Sequence, residues 1–210
     1  MEQMVSSRPL CKNGEVWISG ILLAAGLSLR TNRPKLLLPL GKKAIVELAI
    51  ESLLKADLNE LIVVTGAFRE QIEPIVTRYP VKVVHNPDYA SGMASSLRCG
   101  VASTSEKAWG FLIALGDMPF IEPWVLKGLL EAFKKGARIV APSYKGKRGH
   151  PVVFHKDYKG ELLGLYGDEG AKKVIERHKG ELHLLEVEVP SVVFDIDTEE
   201  DYQRAQELFG

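Results

Sequence analysis

From residue 16 onward, short runs of apolar residues alternate with longer stretches in which apolar positions recur every three or four residues. The first pattern suits strands and the second amphipathic helices. Strand-like runs span 17–23, 60–65, 81–85, 110–115, 139–142, 151–155 and 184–189. Most are rich in Val, Ile or Leu, as strands covered on both faces should be. Helical spacing covers 45–56, 69–77, 93–103, 123–135, 171–178 and 199–208. Thr198 followed by Glu199, Glu200 and Asp201 marks the start of the last helix, a hydroxyl cap with acids opposing the positive end of the helix dipole. The alternation predicts an α/β fold, a three-layer sandwich around a mainly parallel sheet, whose ligands gather beyond the carboxyl ends of the strands. No internal repeat and no proline- or serine-rich linker divides the chain, so 16–210 is expected to form one domain. Residues 1–15 show neither pattern and are expected to be a flexible leader. The one break in the alternation, SYKGKRGHP at 143–151, is expected to be a basic loop bordering a site.

Composition narrows the classes. At 210 residues, 46% hydrophobic and 26% charged, the chain is long and apolar enough for a core of its own, which excludes disorder for the bulk of it. Its 27 basic and 27 acidic residues cancel, so no long-range field gathers nucleic acid or an anionic membrane, and any positive site is local. The apolar run at 18–25 falls far short of the about 20 residues of a membrane span, and the N-terminal segment lacks the layout of a secretion signal. Cys11 and Cys99 stand in neither a CxxC nor a zinc-ligand spacing, and the expected setting is a reducing cytoplasm.

Three constellations carry candidate chemistry. The first strand runs into Leu23, Ala24, Ala25 and Gly26, followed by Arg30 and Lys35. Small residues after a strand let backbone N–H groups approach phosphate oxygens, and the two cations would neutralise a triphosphate and its leaving pyrophosphate. Neither GxGxxG nor GxxxxGK[ST] is present. The second is Leu115, Gly116, Asp117, Met118, Pro119: a carboxylate beyond the end of a buried strand, suited to Mg²⁺ but equally to a turn. The third is Asp195 and Asp197, two apart on an extended run and therefore pointing the same way; one could share a metal with Asp117, or both could merely end the run and cap the last helix. No His/Cys cluster suggests zinc, and no GxSxG or Cys/His pairing suggests a covalent nucleophile.

LAAGLSLR with Lys35, then GDMP, GHPVVF and DIDTEEDY, in this order from residue 18 to 202, resemble the MobA-like nucleotidyltransferases, and most of all their molybdenum-cofactor cytidylyltransferase branch. The resemblance implies a Rossmann-like fold of the nucleotide-diphospho-sugar transferase type. It implies transfer of CMP from CTP to molybdopterin or molybdenum cofactor with release of pyrophosphate. By the same resemblance, Leu23, Ala24, Ala25, Gly26, Arg30 and Lys35 hold the nucleotide, joined by Ser91, Gly92 and Ser96 from a second loop. Asp117 binds the catalytic Mg²⁺, completed by Asp197 in preference to Asp195. Gly149, His150 and Pro151 border the acceptor, with 167–170 as a further acceptor-side loop. A molybdoenzyme or an insertion factor is the implied protein partner. The family's usual Met-Gly is replaced here by Thr31 and Asn32, which puts the choice of nucleotide in question and keeps a non-catalytic cofactor carrier as an alternative; the Met of GDMP, a pattern of the guanylyl-transferring branch, keeps GTP in place of CTP, and a sugar-phosphate nucleotidyltransferase would use the same loop and metal.

Overall fold

Along β1 (Ile18–Ala24) the side chains divide by parity: Ile18, Leu22 and Ala24 enter one buried cluster, and Ile21 the other. A strand covered on both faces must sit between two helical layers. The computed structural model describes residues 16–27, 34–168 and 170–209. In chain order, β1 is followed by β2 (Pro39–Leu40), β3 (Lys43–Ala44), α1 (Ile45–Leu54), β4 (Glu60–Thr65), α2 (Arg69–Val76), β5 (Lys82–His85), α3 (Met93–Ala102) and β6 (Gly110–Leu115). The second half runs α4 (Pro123–Lys134), β7 (Ile139–Tyr144), β8 (Lys147–Arg148), β9 (Val152–His155), α5 (Lys159–Leu163), α6 (Lys172–Arg177), β10 (Leu182–Glu186) and α7 (Glu199–Phe209).

The main sheet has the order β10-β7-β9-β6-β1-β4-β5, with β8 paired to β7. Its β1–β4, β1–β6, β4–β5 and β7–β10 pairs are parallel, while β9 runs antiparallel to both β6 and β7. The apolar stripes of α1, α2, α4 and α7 cover one face, and those of α3, α5 and α6 the other. This is the expected α/β three-layer sandwich, and no described helix is long and apolar enough to cross a membrane.

Two expectations need correction. The basic stretch 143–151 is not one loop: β7 continues through Tyr144, turns at Lys145 and Gly146 (φ 49° and 76°), and pairs back through β8. Positive φ at both central residues is what a two-residue hairpin turn requires. The last strand lies at Leu182–Glu186 rather than 184–189, because Leu182 pairs with Ile139 at the start of β7 and the register runs from there. The chain beyond it passes into a 3-10 turn at Pro190–Val193. The β2–β3 hairpin and α5, each five residues or fewer per element, are too short to show in the apolar pattern. The leader expected at 1–15 lies outside the described residues.

Candidate active site

The carboxyl ends of β1 and β6 lie side by side, since Leu23 pairs with Leu115 in the parallel register. Past that point Gly116 donates its N–H to the Leu23 carbonyl at 3.0 Å, and a Cβ on Gly116 would lie only 3.0 Å from that oxygen. The glycine therefore lets β6 stay against β1 for one residue more before Asp117 turns outward. The Asp117 carbonyl accepts from the Ile196 N–H at 3.0 Å, and this bond carries the 195–197 segment to Asp117. Downstream, Asp201 accepts from the N–H groups of Asp197 and Thr198, while Thr198 Oγ1 accepts from the Asp201 N–H. This reciprocal cap fixes the start of α7.

Lys35 enters from the 3-10 turn Lys35–Leu37, anchored by the buried Leu36. Its Nζ lies 2.6 Å from Asp117 Oδ2 and 2.5 Å from Asp197 Oδ1, so two carboxylates converge on one cation. Burial opposes the Lys35 charge, but the two aspartates outweigh it and hold its pKa above the ordinary lysine value. Asp195 lies nearby, and burial, with the Asp197 and Asp117 charges, raises its pKa above the ordinary carboxylate value. Asp117 Oδ1 is buried and has no hydrogen-bond partner among the described residues. An orphaned carboxylate oxygen is costly unless a cation or donor meets it. The pair fits a hard divalent cation, which takes one or two protein carboxylates and completes its shell with water and phosphate oxygens. Among the described residues no group of three or more His, Cys, Asp or Glu is placed to hold a metal ion.

These groups open into a cavity of about 530 Å³ lined by Leu23, Ala25, Gly26, Lys35, Asp117, Asp195 and Asp197, together with Gly92, Ser96 and Asp168. That is within the range of small-molecule sites. Ala24 is buried in the core beneath it. Arg30 lies outside the described residues. Asn86 Nδ2 donates to both Ser95 Oγ and Ser96 Oγ, at 2.8 and 3.0 Å, and so shapes the second loop. Ser91 is turned away from the cavity, its hydroxyl donating to the Asp88 carbonyl.

Leu27, Leu36, Tyr89, Ala90, Met93 and Leu115 complete the wall without being among the candidate residues of the sequence, and Asp168 reaches it from the 167–170 loop that the resemblance gives to the acceptor side. Asp168 accepts from the Met93 N–H, and the Gly167 carbonyl from the Ala94 N–H, so the 167–168 turn covers the start of α3. Gly66 matters too, since a Cβ there would meet the Ala25 carbonyl at 2.7 Å and Tyr89 Cβ at 2.8 Å. Its signal was present, a glycine directly after a buried strand.

The expected acceptor-side residues Gly149, His150 and Pro151 are not in this wall. His150 and Pro151 line a separate small apolar pocket behind β6 with Leu22, Ser52, Leu115 and Met118, the last two flanking Asp117 in sequence. Burial, with the Arg148 charge beside it, lowers the His150 pKa to about 4 against a hydrogen bond to the Ile113 backbone. Between about pH 6.5 and 4 the unfolded chain takes up this proton and the folded chain does not, so stability falls as pH drops through that window. A shift of this size is worth roughly 3 kcal/mol. Unfolding free energies from denaturant titrations at pH 7.5 and 4.5 should therefore differ less in His150→Leu than in the wild type by about that amount; equal pH dependence would contradict the placement.

The family model described as "MobA-like NTP transferase domain" matches residues 20–182. A nicotine blue oxidoreductase of Paenarthrobacter nicotinovorans is 31% identical over 89% of this chain and 95% of its own. A molybdenum cofactor cytidylyltransferase of Escherichia coli is 26% identical over 91% and 97%. The crystal structure of Rv0371c of Mycobacterium tuberculosis in complex with manganese superposes with a TM-score of 0.79 at 28% identity, over 91% of this chain and 99% of that one.

Proposed function

The chain belongs to the MobA-like NTP transferase domain family, and from that membership we propose that it transfers CMP from CTP to the terminal phosphate of molybdopterin or molybdenum cofactor, releasing pyrophosphate. The observation that carries the reading is the convergence of Asp117 and Asp197 on one cation at the mouth of a nucleotide-sized cavity. The choice of cytidine and of a pterin acceptor is supported by likeness to the cytidylyltransferase and by the four motifs.

In this mechanism an oxygen of the acceptor phosphate forms a bond to the α-phosphorus of CTP as the bond from that phosphorus to the bridging oxygen breaks, and pyrophosphate leaves in line. Asp117 and Asp197 hold a divalent metal, Mg²⁺ in this proposal, which when bound supplies positive charge where the transferred phosphate becomes more negative. Lys35 takes up charge on the departing pyrophosphate, with Arg30 proposed beside it. Ala25, Gly26 and Gly92 present backbone to the nucleotide without side chains in the way, and the Asn86-tethered Ser96 borders the ribose and base. Gly149, His150 and Pro151 are assigned a supporting role beneath Asp117 rather than a contact with the acceptor.

The test is pyrophosphate release from each of the four NTPs, with and without molybdopterin. Release with CTP, dependent on the acceptor, is the expected result. Release with GTP would move the protein to guanylyl transfer, and release with a sugar phosphate in place of the pterin would change the acceptor class. Silence with all four, while molybdopterin still binds, would make it a carrier. Silence with an oxidation–reduction activity instead would bring it to the chemistry that the name of the Paenarthrobacter relative states.

A further inference from the structure

Resting on the proposed metal pair, we infer that Lys35 has a second role: its ammonium occupies the space between Asp117 and Asp197 in the free protein, keeps free divalent ions out, and withdraws when nucleotide phosphates enter. The site would then accept a metal together with a nucleotide and resist the metal alone.

The geometry argues for exclusion. Nζ stands 2.6 Å from one carboxylate and 2.5 Å from the other. A magnesium-sized ion must approach the same oxygens to about 2.0–2.1 Å. Such an ion would overlap the ammonium, and the two like charges would repel at contact distance, so only one cation occupies the pair at a time. The contest is close, because the ammonium is well seated: its side chain is 15% exposed, and those of Asp117 and Asp197 19% and 33%.

Withdrawal is also open to it. The backbone at position 35 is pinned by the buried Leu36, but a lysine carries its point charge on four flexible carbons. The same side chain lines the cavity, so phosphate oxygens placed there would meet the ammonium without movement of the fold. Phosphate then offers Lys35 a new anion as the metal takes the aspartates, and the charge on each partner stays compensated. Metal and nucleotide consequently favour the same arrangement, with Lys35 withdrawn, and by linkage each raises the affinity for the other. Lys35 is in this sense a specificity-determining residue for the form in which metal arrives.

The experiment is a Mn²⁺ titration by electron paramagnetic resonance on wild type, Lys35→Met and Lys35→Arg, first without nucleotide and then with α,β-methylene CTP. Without nucleotide Lys35→Met should bind Mn²⁺ roughly ten- to a hundredfold more tightly than wild type, in the range of ordinary site-to-site coupling. Lys35→Arg, which keeps the charge, should stay close to wild type. The advantage of Lys35→Met should shrink once the analogue is present. No gain in Lys35→Met, an equal gain in Lys35→Arg, or a gain unchanged by the analogue would each overturn the inference. A measurement on the unaltered protein guards against a variant that fails to fold: Mn²⁺ at concentrations that fill the site should raise the acetylation rate of Lys35, read by mass spectrometry. A filled site with unchanged Lys35 reactivity would overturn it as well. Both readouts are independent of turnover, so a protein that releases no pyrophosphate could still show the exchange, and an active one could lack it.

Discussion

Asp117→Asn should lower kcat about 10³-fold and leave the protein folded. A metal at a transferring phosphate is worth several kcal/mol of transition-state charge stabilisation, and each 1.4 kcal/mol is about tenfold in rate. The amide removes the charge, while the bond from Ile196 N–H to the residue 117 carbonyl, which is backbone, persists. Lys35 retains Asp197 as a partner, so its ammonium is not stranded. Pyrophosphate release and thermal melting, measured on the same preparation, separate the two effects. A variant within tenfold of wild-type kcat would remove Asp117 from the reaction, and one that fails to melt cooperatively would make it structural.

The second large effect is on stability and comes from a motif that reads as functional. Gly149→Ala should cost about 3 kcal/mol or more. An added Cβ would lie 2.0 Å from the Val192 carbonyl oxygen and 2.7 Å from its carbon, a collision with backbone that no rotamer relieves. Overpacking in a fitted interior costs about 1–3 kcal/mol and more where the chain itself must move. The same carbonyl accepts from the His150 N–H at 2.8 Å, and Gly149 N–H donates to the Pro142 carbonyl, so two further bonds are drawn into the shift. For a chain of this size roughly 2–4 °C accompanies each kcal/mol, and Tm should fall by roughly 6–12 °C in a calorimetric scan. Val192 lies three residues before Asp195, so Mn²⁺ affinity should weaken in the same variant. A Tm within about 2 °C of wild type would contradict the packing described.

These two glycine-bounded motifs show what the sequence makes legible. The placement of GDMP is legible because it depends on local order: a buried apolar run, a glycine that permits close approach to β1, then one carboxylate. The placement of GHP is not legible in the same way because its surroundings are non-local. Only the sheet order, with β9 antiparallel between β6 and β7, turns His150 into the pocket behind Asp117 instead of the cavity in front. Strands buried on both faces, such as Glu60–Thr65 and Gly110–Leu115, carry a continuous apolar signal and appear where the pattern places them. β10, at the sheet edge, has mostly exposed side chains, so its bounds are set by pairing with β7 and not by hydrophobicity. Asp195 and Asp197 were recognisable as a pair, but the bond that brings them to Asp117 spans about eighty residues and leaves no trace in spacing. Ser91 fits a ribose contact by residue type, yet its hydroxyl is used within its own turn. Asp168 falls in the 167–170 loop that the resemblance gives to the acceptor side, but its bond to the start of α3 joins residues 75 apart and leaves no trace in spacing.

The central claim is nucleotidyl transfer from the α-phosphorus, and isotope placement tests it most directly. The protein is incubated with molybdopterin and a divalent metal, once with CTP labelled at the α-phosphorus and once with CTP labelled at the γ-phosphorus. The account predicts that α-label appears in the pterin product and γ-label only in pyrophosphate, in equal amounts. Transfer of γ-label to the acceptor, or pyrophosphate formed while α-label remains in free CMP, would contradict it.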